Sequence, residues 1–121
     1  MSTIETSARS LFTAAMCYRA SEDNFSQMCR IWKDEVFSSA QGIPGLISMQ
    51  LLTEKADQEH NKNLPPVRQA FAVGIWESVS DAQNYMKTGV FTRLLERLDG
   101  LLAAPPESRP WDAYCYYSRG F

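Results

Sequence analysis

The sequence predicts an α+β domain in the order β-α-β-β-α-β, a four-stranded antiparallel sheet with both helices on one face, and three observations carry that reading. Apolar residues alternate in four segments and recur at three- and four-residue steps in two others. The two helical segments each open on a serine and fall after the first and third of the alternating ones. Glycine and proline cluster where the pattern changes, at Gly42, Pro44 and Gly45 and at Pro105 and Pro106. This order is the split βαβ arrangement of ferredoxin-like domains. With 121 residues the chain fits a single domain, 1–121, large enough to bury its own core. Residues 1–10 are polar and form a flexible N-terminus in this reading.

Residues 11–19 read as a first strand, with Phe12, Ala14, Met16 and Tyr18 on one face and Leu11, Thr13, Ala15, Cys17 and Arg19 on the other. Ser21 then caps a helix. Glu22 and Asp23 occupy its first turn, and Phe25, Met28, Ile31, Trp32 and Val36 form its apolar stripe, until Ser38 and Ser39 end it. A second strand over 46–52 sets Ile47, Met49 and Leu51 against Leu46, Ser48, Gln50 and Leu52. Residues 54–66 are polar and contain Pro65 and Pro66, which makes a long loop, either a lid or a mobile excursion.

The third strand, 67–76, alternates Phe71, Val73 and Ile75 with Ala72 and Gly74. The large residues define a buried face, and the small ones a second face against which something bulky can lie. Trp76 ends this strand. Ser80 and Gln83 have the spacing of a capping box for the second helix, with Asp81 favourably placed on the helix dipole. Gly89 breaks that helix near Thr88, and Val90, Phe91, Leu94, Leu95, Leu98 and Leu102 resume the stripe. Residues 111–118, rich in aromatics, read as the last strand, with Tyr116 and Tyr117 on opposite faces. In this arrangement one sheet face is left bare. Ile47, Met49, Leu51 and the tyrosines of the last strand are its candidate residues, and a second copy of the chain would cover it as a homodimer.

Composition excludes several classes of function. Hydrophobic residues at 45% and charged residues at 21% describe a globular chain rather than a disordered one. A net charge of −2 with no cluster of Lys and Arg argues against a nucleic-acid surface. No apolar run approaches the roughly 18 residues of a membrane span. The N-terminus lacks the apolar region of a secretion signal, so a cytoplasmic protein is expected. Cys17, Cys29 and Cys115 have no metal-binding spacing and read as reduced thiols, with Cys17 and Cys115 as small buried residues in strands.

The run 71–95, with Trp76, Glu77, Ser78, Ala82, Tyr85 and Phe91, resembles the signature of the antibiotic-biosynthesis monooxygenase family of dimeric α+β barrels, as does the Ile43-Pro44-Gly45 turn leading into the second strand. The resemblance covers roughly residues 11–118. It implies a homodimer through the open sheet face and a pocket between sheet and helices for a flat aromatic or polyketide-like molecule. It also implies cofactor-independent oxidation, with no bound cofactor and no metal. Trp76, Tyr85, Trp32, Asn84, Phe91 and Arg19 are the candidate substrate-binding residues; the catalytic group is not identified. Haem-degrading relatives carry a histidine just after the phenylalanine matched by Phe91, where this chain has Thr92 to Glu96. Some oxygenases carry an asparagine where this chain has Ala72. The other reading is a non-catalytic small-molecule-binding or structural homodimer of the same fold. A cavity of several hundred Å³ with converging polar groups would mark an active member, whereas Trp32, Trp76 and Phe91 would fill a structural one.

Of the remaining residues, His60 reads as a solvated loop residue. Asp57, Glu59 and His60 share one unanchored loop and define no metal geometry. Glu77 and Asp81 stand near the pocket mouth as candidate bases, although a carboxylate at a helix start is explained by the dipole.

Overall fold

A computed structural model describes residues 11–54, 67–115, 117 and 119 of the protein. Strand β1 spans Phe12–Ser21, helix α1 Glu22–Trp32, β2 Leu46–Thr53, β3 Val67–Trp76, helix α2 Val79–Met86, helix α3 Val90–Arg97, and β4 Glu107–Asp112. The sheet order is β2-β3-β1-β4 and all three pairings are antiparallel, so the β-α-β-β-α-β order holds with β1 and β3 at its centre. His60, most of the 54–66 loop, residues 1–10 and Tyr116 lie outside the described residues.

Helix α1 and the winding that continues it bury the stripe that the spacing predicts: Phe25, Met28, Ile31 and Trp32 of α1 and Val36 beyond it are all buried. Ser21 occupies the N-cap position, yet its hydroxyl makes no capping bond. Past Trp32 the helix widens into a π-helical stretch, Lys33–Phe37, and closes with one turn, Ser38–Ala40. Hydroxyls add hydrogen bonds to the carbonyls of this irregular winding. Ser38 Oγ donates to the Lys33 carbonyl and Tyr85 Oη to that of Val36, and Ser39 Oγ stands 2.7 Å from the Glu35 carbonyl.

Register decides which alternate residues face the helices. Phe12 pairs with Trp76, Ala14 with Gly74, Met16 with Ala72 and Tyr18 with Ala70, and this set lies beneath α1, α2 and α3. In β3 the small residues therefore face inward and Phe71, Val73 and Ile75 outward, the reverse of the sequence expectation. A bulge between Leu46 and Ser48 turns β2 as well: Met49 pairs with Gly74 and Leu51 with Ala72, so both pack toward the helices. Of the three β2 residues expected on the bare face, only Ile47, at the bulge, is exposed. The open face instead carries Leu52, Phe71 and Trp111, with Val73 and Ile75 between them.

Two further expectations are corrected. The last strand is Glu107–Asp112, not 111–118, and it contains Pro110. An edge strand tolerates proline because only one side of it is paired. Tyr114 and Tyr117 lie beyond it, almost fully exposed, and Cys115 is exposed too rather than buried in a strand. The cap of α2 is Ser78, not Ser80. The Ser78 Oγ accepts from the Asp81 amide at 3.2 Å and donates to Asp81 Oδ2 at 2.9 Å, so the box is Ser78 with Asp81 and the helix starts two residues earlier.

This cap meets the turn before β2. Gly45 has φ +84°, and a Cβ placed on it would collide with the Asp81 carboxylate. The Glu77 amide donates to the Gly45 carbonyl at 2.7 Å. Pro44-Gly45 and the triplet Trp76-Glu77-Ser78 thus form one junction that fixes where α2 leaves the sheet. Gly89, with φ +83°, separates α2 from α3 as its position predicts. The chain then returns along β1, where the Ala103 amide donates to the Arg19 carbonyl at 2.8 Å.

Candidate functional site

Between the helix-facing side of the sheet and the helices lies a cavity of about 210 Å³. It exists because the strands put small residues where large ones would close it: Ala14 on β1 and Ala72 and Gly74 on β3. Gly74 also admits the Trp76 indole, since a Cβ there would stand 3.2 Å from Trp76 Nε1. Around this floor stand Trp32 of α1 and Val36 of the π-helical stretch, Met16, Met49 and Trp76 of the sheet, and Tyr85 and Phe91 of α2 and α3; β4 supplies the rim at Ser108 to Pro110.

The aromatic wall is one continuous row. Trp76 and Tyr85 have ring centroids 5.5 Å apart with a tilt of 37°, and Phe91 meets Tyr85 edge-on at 5.9 Å. Tyr85 is 3% exposed, and its hydroxyl is committed to the helix layer: it donates to the Val36 carbonyl at 3.0 Å and shares a 2.7 Å hydrogen bond with Ser39 Oγ. Burial pushes its pKa up, and the Ser39 bond and the positive Arg93 draw it partly back. Tyr85 therefore offers its ring to the cavity and its oxygen to the protein.

Tyr18 and Trp32 differ from it. Tyr18 is 1% exposed and Trp32 3%, and both line the cavity, yet neither the Tyr18 hydroxyl nor the Trp32 Nε1 has a hydrogen-bond partner. Burial raises the Tyr18 pKa far above its ordinary value, and the nearby Trp32 indole offsets only part of that rise. The two groups are close enough to influence each other but lack the geometry of a hydrogen bond.

Of the six candidate residues, Trp76, Tyr85, Trp32 and Phe91 are brought together around the cavity. The other two are not. Arg19 lies on the opposite sheet face, where its Nη1 sits 2.7 Å from Glu107 Oε1; this pairing raises its pKa and holds the Glu107 carboxyl below the usual range. Its place follows from the strand period, since Arg19 and Tyr18 are neighbours and point to opposite sides. Asn84 is exposed on the outer side of α2. Glu77 is also exposed, and Asp81 is tied to Ser78, so neither carboxylate reaches the cavity wall. Tyr18, Met16 and Met49 belong to the wall without having been singled out as binding residues. The alternation that placed Phe12, Ala14, Met16 and Tyr18 on one face was their sequence signal.

Among the described residues, the titratable side chains lining the cavity are Tyr18, Tyr85 and Arg109, and no group of three or more His, Cys, Asp or Glu is placed to hold a metal ion. Thr92 and Arg93 are exposed on α3. No helix among the described residues is long and apolar enough to cross a membrane.

No protein-family model matches the chain, and no curated protein matches it in sequence. Solved structures do match it. SnoaB, a cofactor-independent oxygenase from Streptomyces nogalater, superimposes with a TM-score of 0.66 at 13% identity, over 88% of this chain and 95% of that one. A provisionally named antibiotic biosynthesis monooxygenase from Nitrosomonas europaea gives 0.66 at 10% identity over 86% and 90% of the two chains. A conserved protein from Methanosarcina mazei gives 0.67 at 9% identity over 88% and 96%. This chain shares their fold. The antibiotic-biosynthesis-monooxygenase fold expected from the run 71–95 is therefore present across most of the chain. Within it Trp76 and Tyr85 form the cavity wall, Ser78 caps α2 and Ala82 is buried beneath that helix.

Proposed function

We propose that this chain is an antibiotic-biosynthesis-monooxygenase-type protein that works as a homodimer through its open sheet face and binds a small, largely apolar aromatic molecule in the cavity for oxidation by dioxygen without a bound cofactor. The observation that carries the reading is the cavity itself: about 210 Å³, floored by Ala14, Ala72 and Gly74 and walled by the row Trp76, Tyr85, Phe91. Its size refines the substrate. An apolar cavity of about 150 Å³ holds benzene and drug-sized ligands occupy about 300–1,000 Å³, so one or two fused rings fit inside. A longer polyketide-like molecule would extend past the β4 rim.

The matching chemistry is conversion of an activated ring methylene into a carbonyl. The CH₂ group and O₂ give C=O and H₂O, and the substrate supplies all the electrons. The protein's part is to hold the ring against Trp76 and to keep water from it. Proton loss falls to the substrate's own acidity, because the wall offers no carboxylate or histidine among the described residues. The same observation favours a second reading, a dimer that binds the aromatic without transforming it.

Calorimetric titration with one- and two-ring phenols and hydroxylated ketones, followed by oxygen-electrode measurements on those that bind, tests both. Saturable binding with oxygen uptake that Trp76→Ala abolishes in a folded variant supports oxidation. Binding without uptake leaves the carrier, and failure of every compound to bind overturns both.

A further inference from the structure

The cavity lining is exposed on one side. Among the described residues that line it, Tyr18, Trp32, Val36, Trp76 and Tyr85 are buried and Phe91 is half-buried. The exposed part of the lining comes from two elements, Met86 in the last turn of α2 and Ser108 to Pro110 on β4. Register explains this opening. Ser108 pairs with Met16 and Pro110 with Ala14, so both stand on the side of the sheet that faces the helices. Every residue of β4 is nevertheless exposed, because the core draws on the other three strands and on no residue of this one. A slot between the end of α2 and β4 therefore joins the cavity to solvent.

The two lips of this slot are anchored, and one side chain between them is not. On one lip β4 is paired with β1 from Glu107 to Asp112, and the ring of Pro110 fixes its own φ. On the other, Thr88 Oγ1 donates to the Tyr85 carbonyl at 2.6 Å and Arg93 Nη1 to the Thr88 carbonyl at 3.2 Å. Arg93 Nε also stands 3.7 Å from Glu35 Oε1, which ties the joint at Gly89 to the π-helical stretch. Met86 carries no charged or hydroxyl group that could hold it in the same way. It is 52% exposed although it lines the cavity, and its unbranched thioether is flexible. We infer that the slot between Met86 and Ser108 to Pro110 is the entrance of the cavity and that the Met86 side chain is its door, which sets how fast a guest passes and not how tightly the wall holds it. The inference rests on the reading that the cavity takes a small guest, and it does not depend on oxidation. A door changes arrival and departure by the same factor, whereas a wall residue changes affinity through departure.

Two tryptophans report on access, since Trp32 and Trp76 line the cavity at 3% and 2% exposure while Trp111 is 49% exposed on the open face. In the full chain carrying Trp111→Phe, which removes the outer fluorophore, acrylamide quenching of Trp32 and Trp76 measures passage through the slot with no guest bound. Met86→Ala should raise the quenching rate constant about threefold or more, and Ser108→Leu added on the opposite lip should bring it back toward the parent value. Val79→Ala, 46% exposed on the same helix but outside the lining, should leave it within about twofold, with circular dichroism confirming that each variant is folded. Quenching unchanged in Met86→Ala, or raised as much by Val79→Ala, overturns the entrance. Stopped-flow mixing with 1-tetralone supplies the second arm: Met86→Ala should raise association and dissociation rates together and leave Kd within about twofold. A change in dissociation alone would make Met86 a wall residue and overturn the door. Failure of 1-tetralone to bind the parent protein counts against the aromatic-guest reading, while the quenching result still decides the entrance.

Discussion

The two faces of the sheet are built by the same four strands from alternating residues, and they have opposite fates. On the helix side Tyr18, Ala20, Ala70 and Trp76 are at most 2% exposed, covered by α1, α2 and α3. On the open side Leu52, Phe71 and Trp111 remain 42–49% exposed, around the surface ion pair of Arg19 with Glu107. The covered side nevertheless contains the empty volume, because its central strands contribute alanine and glycine where the open side carries phenylalanine, valine and isoleucine. Side-chain size and burial therefore run in opposite senses across β3. The bulky residues lie on the surface that a second copy is proposed to cover, and the small ones leave room for a guest.

The largest expected break in this comparison comes from one residue type placed on each side. Leu94, fully buried on α3, should cost about 3 kcal/mol when changed to alanine, the usual result of deleting a core leucine. Leu52→Ala, nearly half exposed, should cost under about 0.5 kcal/mol when folding is followed by urea denaturation of the dilute monomer. At higher concentration Leu52→Ala should weaken self-association in sedimentation velocity, since an interface on the open face would be the place where that side chain is buried. Equal costs for the two leucines at every concentration would show that the faces are not energetically distinct.

An alkaline titration sharpens the comparison at the next level. Tyr18 is buried as a neutral phenol with its pKa raised, whereas in the unfolded chain the group titrates near 10.0. Above that pH the unfolded state binds fewer protons than the folded state, so stability present at lower pH is lost as pH rises, by up to about 1.4 kcal/mol per unit. Tyr18→Phe should flatten this slope in thermal melts from pH 9 to 11, with Tyr85, shifted in the same direction, accounting for part of what remains. An unchanged slope would mean that Tyr18 is not buried as a neutral phenol.

The smallest effect concerns how the covering helices are attached. Ser78→Ala should cost about 1 kcal/mol by removing the bond to the Asp81 amide, while Ser80→Ala, on the exposed first turn, should fall within about 0.5 kcal/mol of wild type. Chemical denaturation of the pair decides between the two serines.

These residues also mark how far the sequence could be read. The element order, the buried stripe of α1, the break at Gly89 and the limits of β3 were legible because helical and strand periods are local properties of the chain. The aromatic cluster of Trp76, Tyr85 and Phe91 was legible from the motif and the spacing of α2. Ser78 and Ser80 could not be separated by pattern, since each stands three residues before a side chain able to complete a cap, and only the backbone entering α2 selects one. Strand β4 was displaced because Trp111 and the tyrosines look like a strand and Glu107 to Pro110 do not; pairing with β1 settled it.

The sequence by itself determined the β-α-β-β-α-β order, the apolar stripes and the small residues of β3, all of which arise from spacing within a few turns of chain. Only the tertiary structure decided which side of each strand faces the helices, because a bulge at Ile47 and the register of β1 with β3 fix that choice between distant segments. It put Arg19 outside the cavity and Tyr18 in its wall, although one peptide bond separates them. It also left Tyr18 and Trp32 without partners. Hydrogen-bond satisfaction depends on what three-dimensional packing brings within 3 Å or so, and no period in the sequence records that.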